Sequence, residues 1–115
     1  MNERQTAADL VRSIRPIVHR IYDSPVGNTG CRALLNEVLA RVETLETEAL
    51  TYPGRRYIEE KLGDLRNHAS SLAGVQSDYG HSRRTHLVWC LQAIGSLTTS
   101  RTFEQKPRDL SQHED

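Results

Sequence analysis

Two consecutive stretches share one apolar rhythm, and that rhythm limits the folds open to the chain. Cys31, Leu35, Val38, Val42, Leu45 and Ala49 alternate steps of four and three. After a break at Thr51-Tyr52-Pro53-Gly54 the same alternation resumes at Ile58, Leu62, Leu65, Ala69 and Leu72. Steps averaging three and a half residues put every member of each set on one side of a helix, as in a coiled-coil seam. Leu34, Leu39 and Leu50 widen the first seam into a core-facing stripe. Two matching seams with a short joint predict an antiparallel hairpin, with helices over about 30–50 and 55–73. Gly63, inside the second helix, costs about 1 kcal/mol relative to Ala and is expected to mark a close helix contact.

A helix is expected on each side of this hairpin. Leu10, Ile14, Ile17 and Ile21, with Val11 and Val18, give helical spacing from about Thr6 to Tyr22. Pro16 lies inside the pattern and lacks a backbone donor, so a kink or a restart is expected there. Asp23-Ser24-Pro25-Val26-Gly27-Asn28-Thr29-Gly30 is a loop, and Asn28 or Thr29 can cap the next helix. Beyond a second loop, 74–81, the run from Ser82 to Thr99 contains HLVWCLQAIGSL. It is apolar on nearly every side: Leu87, Leu91 and Ile94 on one face, Val88, Trp89, Cys90 and Leu97 on others. Such a helix is buried on several sides, which in a small domain predicts a subunit interface as well as a core. The fold class is therefore all-α: a bundle of three to four antiparallel helices, residues 1–99, that assembles as a homo-oligomer. The polar, proline-containing segment 100–115 reads as a disordered tail.

Composition narrows function by exclusion. Fifteen basic residues balance fifteen acidic ones, which argues against a charge-driven nucleic-acid or membrane coat. Only 37% of the 115 residues are hydrophobic and 5% aromatic, a thin supply for a monomer and a further reason to expect self-association. Cys31 and Cys90 both fall in apolar stripes and read as buried thiols of a cytoplasmic protein. Neither the cysteines nor the histidines (His19, His68, His81, His86, His113) have the spacing of a common metal site, so no metal or cofactor is expected. His86 reads as a packed or interface residue. No apolar run is long enough to span a membrane.

The candidate chemistry lies at helix starts. Arg55-Arg56 and Arg83-Arg84 each open a helix, where aligned peptide dipoles already supply about half a positive charge. For Arg55-Arg56, Glu43, Glu46 and Glu48 across the short turn are the expected partners. For Arg83-Arg84 the nearest acid in sequence is Asp78. A phosphate would satisfy both guanidiniums and the free N–H groups of the helix start. Tyr79 and His81 could stack on a base, and Ser82 could cap the helix or touch the phosphate. The plainer reading is an exposed arginine pair behind a capping serine. Glu43, Glu46, Glu60 and Asp64 resemble a magnesium cluster in residue type, but they flank the seams instead of converging on one inner face. No catalytic residue is expected.

IEEKLGDLRNHASSL, the Ser-Arg-Arg start at Ser82 to Arg84, and LVWCLQAIGSL together resemble a family of small phage-encoded helical proteins. These are the immune-evasion sponges that sequester cyclic oligonucleotide messengers of bacterial anti-phage defence. The resemblance covers Arg56 to Leu97. It implies a homo-oligomer, commonly a hexamer, in the host cytoplasm, that binds a cyclic di- or trinucleotide without catalysis. It also implies that Ser82 and Arg83 contact the phosphates. Arg84 stands where that family usually has an acid. The expected ligand-binding set is Tyr79, Ser82, Arg83 and Arg84. The alternative is a helical protein–protein interaction module: an inhibitor, adaptor or chaperone.

Overall fold

The computed structural model describes residues 6–99 and Phe103. Four helices make up the fold: α1 (Ala7–Asp23), α2 (Thr29–Ala49), α3 (Arg55–Leu72) and α4 (Arg83–Thr99). Their bounds fall within one residue of the sequence expectations. Short connections send successive helices in opposite directions, and α1 packs on α2, α2 on α3, α3 on α4 and α4 back on α1. The result is an up-down four-helix bundle. The segment read as a tail, 100–115, lies outside the described residues except for Phe103, whose ring meets Tyr52 edge-on at 5.1 Å.

Both seams are fully internal: Cys31, Leu35, Val38, Val42, Leu45 and Ala49 from α2, and Ile58, Leu62, Leu65, Ala69 and Leu72 from α3. The stripe they form is narrower than expected, because Leu50 lies past the end of α2 and is 56% exposed. Helix α1 contributes Val11, Ile14, Ile17, Val18 and Ile21. Of the expected kink or restart at Pro16, the restart does not occur: α1 is one helix from Ala7 to Asp23 with Pro16 inside it. Pro16 and Arg12 both lie on the exposed side, so the carbonyl that the proline cannot serve is open to water. Helix α4 buries His86, Leu87, Cys90, Ala93, Ile94 and Leu97, while Val88 stays 41% exposed. Burial pushes the Cys90 thiol up to about 12.

One pole of the bundle gathers the C-termini of α1 and α3 and the N-termini of α2 and α4, and there the arginine question is answered. The Arg83 guanidinium donates to the carbonyls of Ile21 (2.8 Å), Tyr22 (3.2 Å) and Leu72 (3.1 Å), and sits 5.6 Å from the Tyr22 ring centroid. Those carbonyls belong to the last turns of α1 and α3, at the negative ends of the helix dipoles, and the Ile21 carbonyl also accepts from Ser24 N–H at 3.0 Å. A cation at the positive end of α4 is therefore matched by the negative ends of two antiparallel neighbours. The sequence points to a carboxylate or a phosphate as the source of that charge; it comes from backbone.

The two loops at this pole are tied together as well. The Asn28 side chain caps α2 by accepting from Cys31 N–H, at 2.7 Å. Gly27 N–H donates to the Ala73 carbonyl. Helix α3 ends in a Schellman turn, with Val75 N–H donating to Ser70 and Gly74 N–H to Ser71. Gly74 has φ +80, and a Cβ there would run into the Val26 side chain. At Gly63 a Cβ would meet nothing within 4 Å. The expected close helix contact is absent, and the glycine only weakens α3.

The second arginine pair also departs from expectation. Arg55 pairs with Glu59 on its own helix, and Glu46 reaches Arg66 at 2.7 Å across the α2–α3 hairpin. With both partners of each pair partly exposed, such bridges contribute about 1 kcal/mol at most.

Stability measurements check both assignments. Arg83→Ala strips a charged donor from three carbonyls and should cost on the order of 3 kcal/mol in chemical denaturation. Arg83→Lys should recover less than half of that loss, because one ammonium cannot span the three acceptors. Gly63→Ala should raise stability by about 1 kcal/mol, a few degrees in Tm. An unchanged or lower Tm would mean that Gly63 has a packing role after all.

Candidate functional site

The loop between α3 and α4 folds over one face of the bundle, and its hydrogen bonds set the site. The Ser77 hydroxyl accepts from Tyr79 N–H and the Asp78 carboxylate from Gly80 N–H. His81 N–H donates to the Asp78 carbonyl at 2.9 Å, closing a turn whose two central residues, Tyr79 (φ 54) and Gly80 (φ 82), both have positive φ. Glycine takes that conformation freely. Tyrosine does not, and holding Tyr79 there costs about 1–2 kcal/mol. The strained residue is 68% exposed and stands at the mouth of a cleft.

That cleft has a volume of about 360 Å³. Its wall on α3 is Asn67, His68 and Ser71, its wall on α4 is His86 and Trp89, and the loop adds Gln76, Tyr79 and His81. A second, shallower hollow of about 500 Å³ continues along α3 and α4 past Asp64 and Lys61 toward Ser96 and Thr99. His68 and Trp89 line both, so the two form one groove. Ring contacts dominate the centre: Trp89 lies 4.7 Å from His68, 4.8 Å from His81 and 5.6 Å from His86, measured between centroids.

The histidines have fixed roles. His86 is 2% exposed with both ring nitrogens engaged: Nε2 lies 2.9 Å from the Asp78 carbonyl and Nδ1 lies 3.1 Å from His68 Nδ1. A carbonyl only accepts, so His86 carries its proton on Nε2 and presents a lone pair at Nδ1. His68 must then donate from Nδ1. Burial lowers the pKa of His68 below 6.5, and His86 and His81 lower it further against an opposing pull from Asp64.

Of the expected binding residues, Tyr79 alone lines the cleft. The Ser82 hydroxyl caps α4, accepting from Thr85 N–H at 3.1 Å and meeting the Thr85 hydroxyl at 2.9 Å. Arg83 is turned inward to its three carbonyls. Arg84 is exposed and lies outside both hollows. Sequence reasoning misses His68 and Trp89, which it assigns to no role and to packing; His86, read as a packed or interface residue, is buried at 2% exposure behind them. The available signal is periodicity: positions 85, 89, 92 and 96 fall on one side of α4, apart from its buried stripe. Among the four acids of magnesium-cluster type, Glu43 and Glu60 lie on the outer side of their helices and Glu46 is held by Arg66. Among the described residues no group of three His, Cys, Asp or Glu side chains is placed to hold a metal ion. Nor is any helix among them long and apolar enough to cross a membrane.

No protein-family model, curated protein or solved structure matches the chain.

The lowered pKa of His68 has a thermodynamic consequence. In the unfolded chain it binds a proton near pH 6.5, whereas in the folded protein it stays neutral to lower pH. The unfolded state thus takes up more protons as pH falls below about 6.5, and stability should decline through that window. His68→Phe should flatten this part of the curve, as checked by denaturation midpoints between pH 7.5 and 5.

Proposed function

We propose that the protein is a non-enzymatic binding module that takes up a nucleotide ligand, with a base in the α3–α4 cleft. The observation that carries this reading is the cluster of rings formed by Trp89, His68 and His81 in a cleft that the strained Tyr79 also lines. Flat aromatic and imidazole faces around a cleft of about 360 Å³ suit a flat heteroaromatic guest. Stacking on such faces contributes roughly 1–3 kcal/mol per base and tolerates many sequences. The groove continues past Lys61, a cation that could meet a phosphate at the far end. Cyclic di- and trinucleotides, the ligands that the sequence resemblance implies, are accordingly the first class to try.

In this reading the phosphates are not met by Arg83, whose guanidinium serves the fold, and Ser82 acts as a helix cap. Arg84, exposed at the same pole, remains free to meet a ligand that extends beyond the cleft. Self-association into a homo-oligomer belongs to the same proposal and is supported by Val88, an apolar side chain of α4 left 41% exposed outside its buried stripe. A protein-interaction module is the second reading, favoured by the exposed Val75 and Tyr79 on the α3–α4 loop.

Calorimetric titration with a panel of cyclic di- and trinucleotides tests the first reading. Trp89→Ala should weaken binding by about five- to 150-fold, the equivalent of one lost stack. Arg83→Ala, by contrast, should act through stability and not through affinity of the folded fraction. Absence of heat from every member of the panel, with native mass spectrometry showing intact assembled protein, would reject nucleotide binding and leave the interaction module.

A further inference from the structure

Resting on the base-binding reading above, the geometry points to a more specific ligand chemistry: the cleft selects a heteroaromatic ring that carries an exocyclic amine. The placement of one proton in a chain of three groups decides this. The Asp78 carbonyl can only accept, so His86 Nε2 carries hydrogen at 2.9 Å from it. His86 Nδ1 is therefore a lone pair, and His68 Nδ1, 3.1 Å away, must be the donor. A neutral imidazole holds one proton. With it committed to Nδ1, His68 Nε2 is left as a bare acceptor on the side of the ring away from His86.

That atom makes no hydrogen bond among the described residues. It is also not sealed in, because no buried side-chain nitrogen or oxygen among them lacks a partner. His68 and Trp89 line both hollows, so this accessible acceptor sits on a residue next to the stacking face. Gln76 adds a second acceptor. Its amide nitrogen is turned to the Asn67 carbonyl (3.4 Å) and the Ser71 hydroxyl (3.3 Å), leaving Oε1 unpartnered among the described residues. Two acceptors beside a stacking face call for a guest with N–H donors on its edge. An adenine-like ring supplies an amine with two donors, and a ring without it leaves those acceptors unpaired in a partly dry site, where the loss is large.

The fixed tautomer makes the selectivity depend on pH. The groups facing His68 are Asp64 and Lys61 from its own helix, His86 and Trp89 from α4, and His81 and Tyr79 from the loop. Protonating His68 keeps the Nδ1 donor to His86 intact and converts Nε2 from acceptor to donor. Preference for an amine should then fall several-fold while the fold and the stack persist.

The test uses the full chain and three probes: adenosine, purine riboside and inosine 5′-monophosphates. Relative to the first, the second lacks the amine and the third replaces it with a carbonyl. Nitrogen-15 NMR of the free protein above pH 7 should show neutral His68 protonated at Nδ1 and bare at Nε2. Titrations should show the adenine nucleotide at least tenfold tighter than the other two. His68→Phe, which keeps a ring for stacking but removes one of the two acceptors, should cut that difference several-fold, as should lowering the pH until His68 is protonated. An Nε2-protonated His68, or equal binding of the three probes that Trp89→Ala abolishes, overturns the selectivity and leaves base binding standing. Binding of none of them overturns base binding itself, and the selectivity with it.

Discussion

A single guanidinium holds the ordered pole of this bundle together. Every antiparallel bundle places helix C-termini beside helix N-termini, and each C-terminus leaves unpaired carbonyls behind. Arg83 gathers three C-terminal carbonyls, two from α1 (one of them shared with Ser24 N–H) and one from α3, and does so from the first residue of α4. The contacts bridge 61 and 62 positions to α1 and 11 to α3, so the side chain links elements that the short loops alone would leave free to splay. Lysine would supply the charge without the fork, and a hydrophobe would supply neither. The remaining ties at this pole, the Gly27–Ala73 bond and the close approach of Gly74 to Val26, need the same two loops to be in register.

The bundle is legible in the sequence because its cause is periodic. Each member of the α2 and α3 seams can be assigned to the core from spacing alone, and each is internal. Leu50 is misplaced by that logic because it sits one residue past the helix, where periodicity stops carrying information. Pro16 is overweighted because its cost depends on whether the freed carbonyl is wet, and spacing does not report that. Gly63 suggests a packing role on residue type alone, whereas it faces open space.

The site is legible only in part, for a different reason. The anomaly at Ser82 to Arg84 is visible as a cation pair lacking a local counter-charge. Its resolution is not readable, because backbone carbonyls leave no mark in the sequence. His81 is offered by the sequence as a stacking residue and His86 as a packed one, but their meeting with His68 is not readable, because the three come together only after the chain reverses through the Schellman turn and the positive-φ turn at Tyr79-Gly80. Trp89 reads as packing because α4 looks apolar on every side. Its burial is in fact confined to one stripe, and the tryptophan belongs to the wet side.

Clamp and cleft are two uses of one loop. Residues 73–82 are fixed at the α3 end by the Schellman bonds and Gly74, and at the α4 end by the Ser82 cap and Arg83. His86 pins the middle through the Asp78 carbonyl. A segment held at three points can sustain a tyrosine at φ 54, which a loose loop would relax. It also means that the rings around the cleft are ordered before any guest arrives. A guest entering such a site loses its own freedom but does not have to order the loop as well, and the affinity available from a single stack is correspondingly less eroded. The arginine that the sequence offers as a ligand contact thus supports the proposed site from behind, by keeping in place the loop that shapes it.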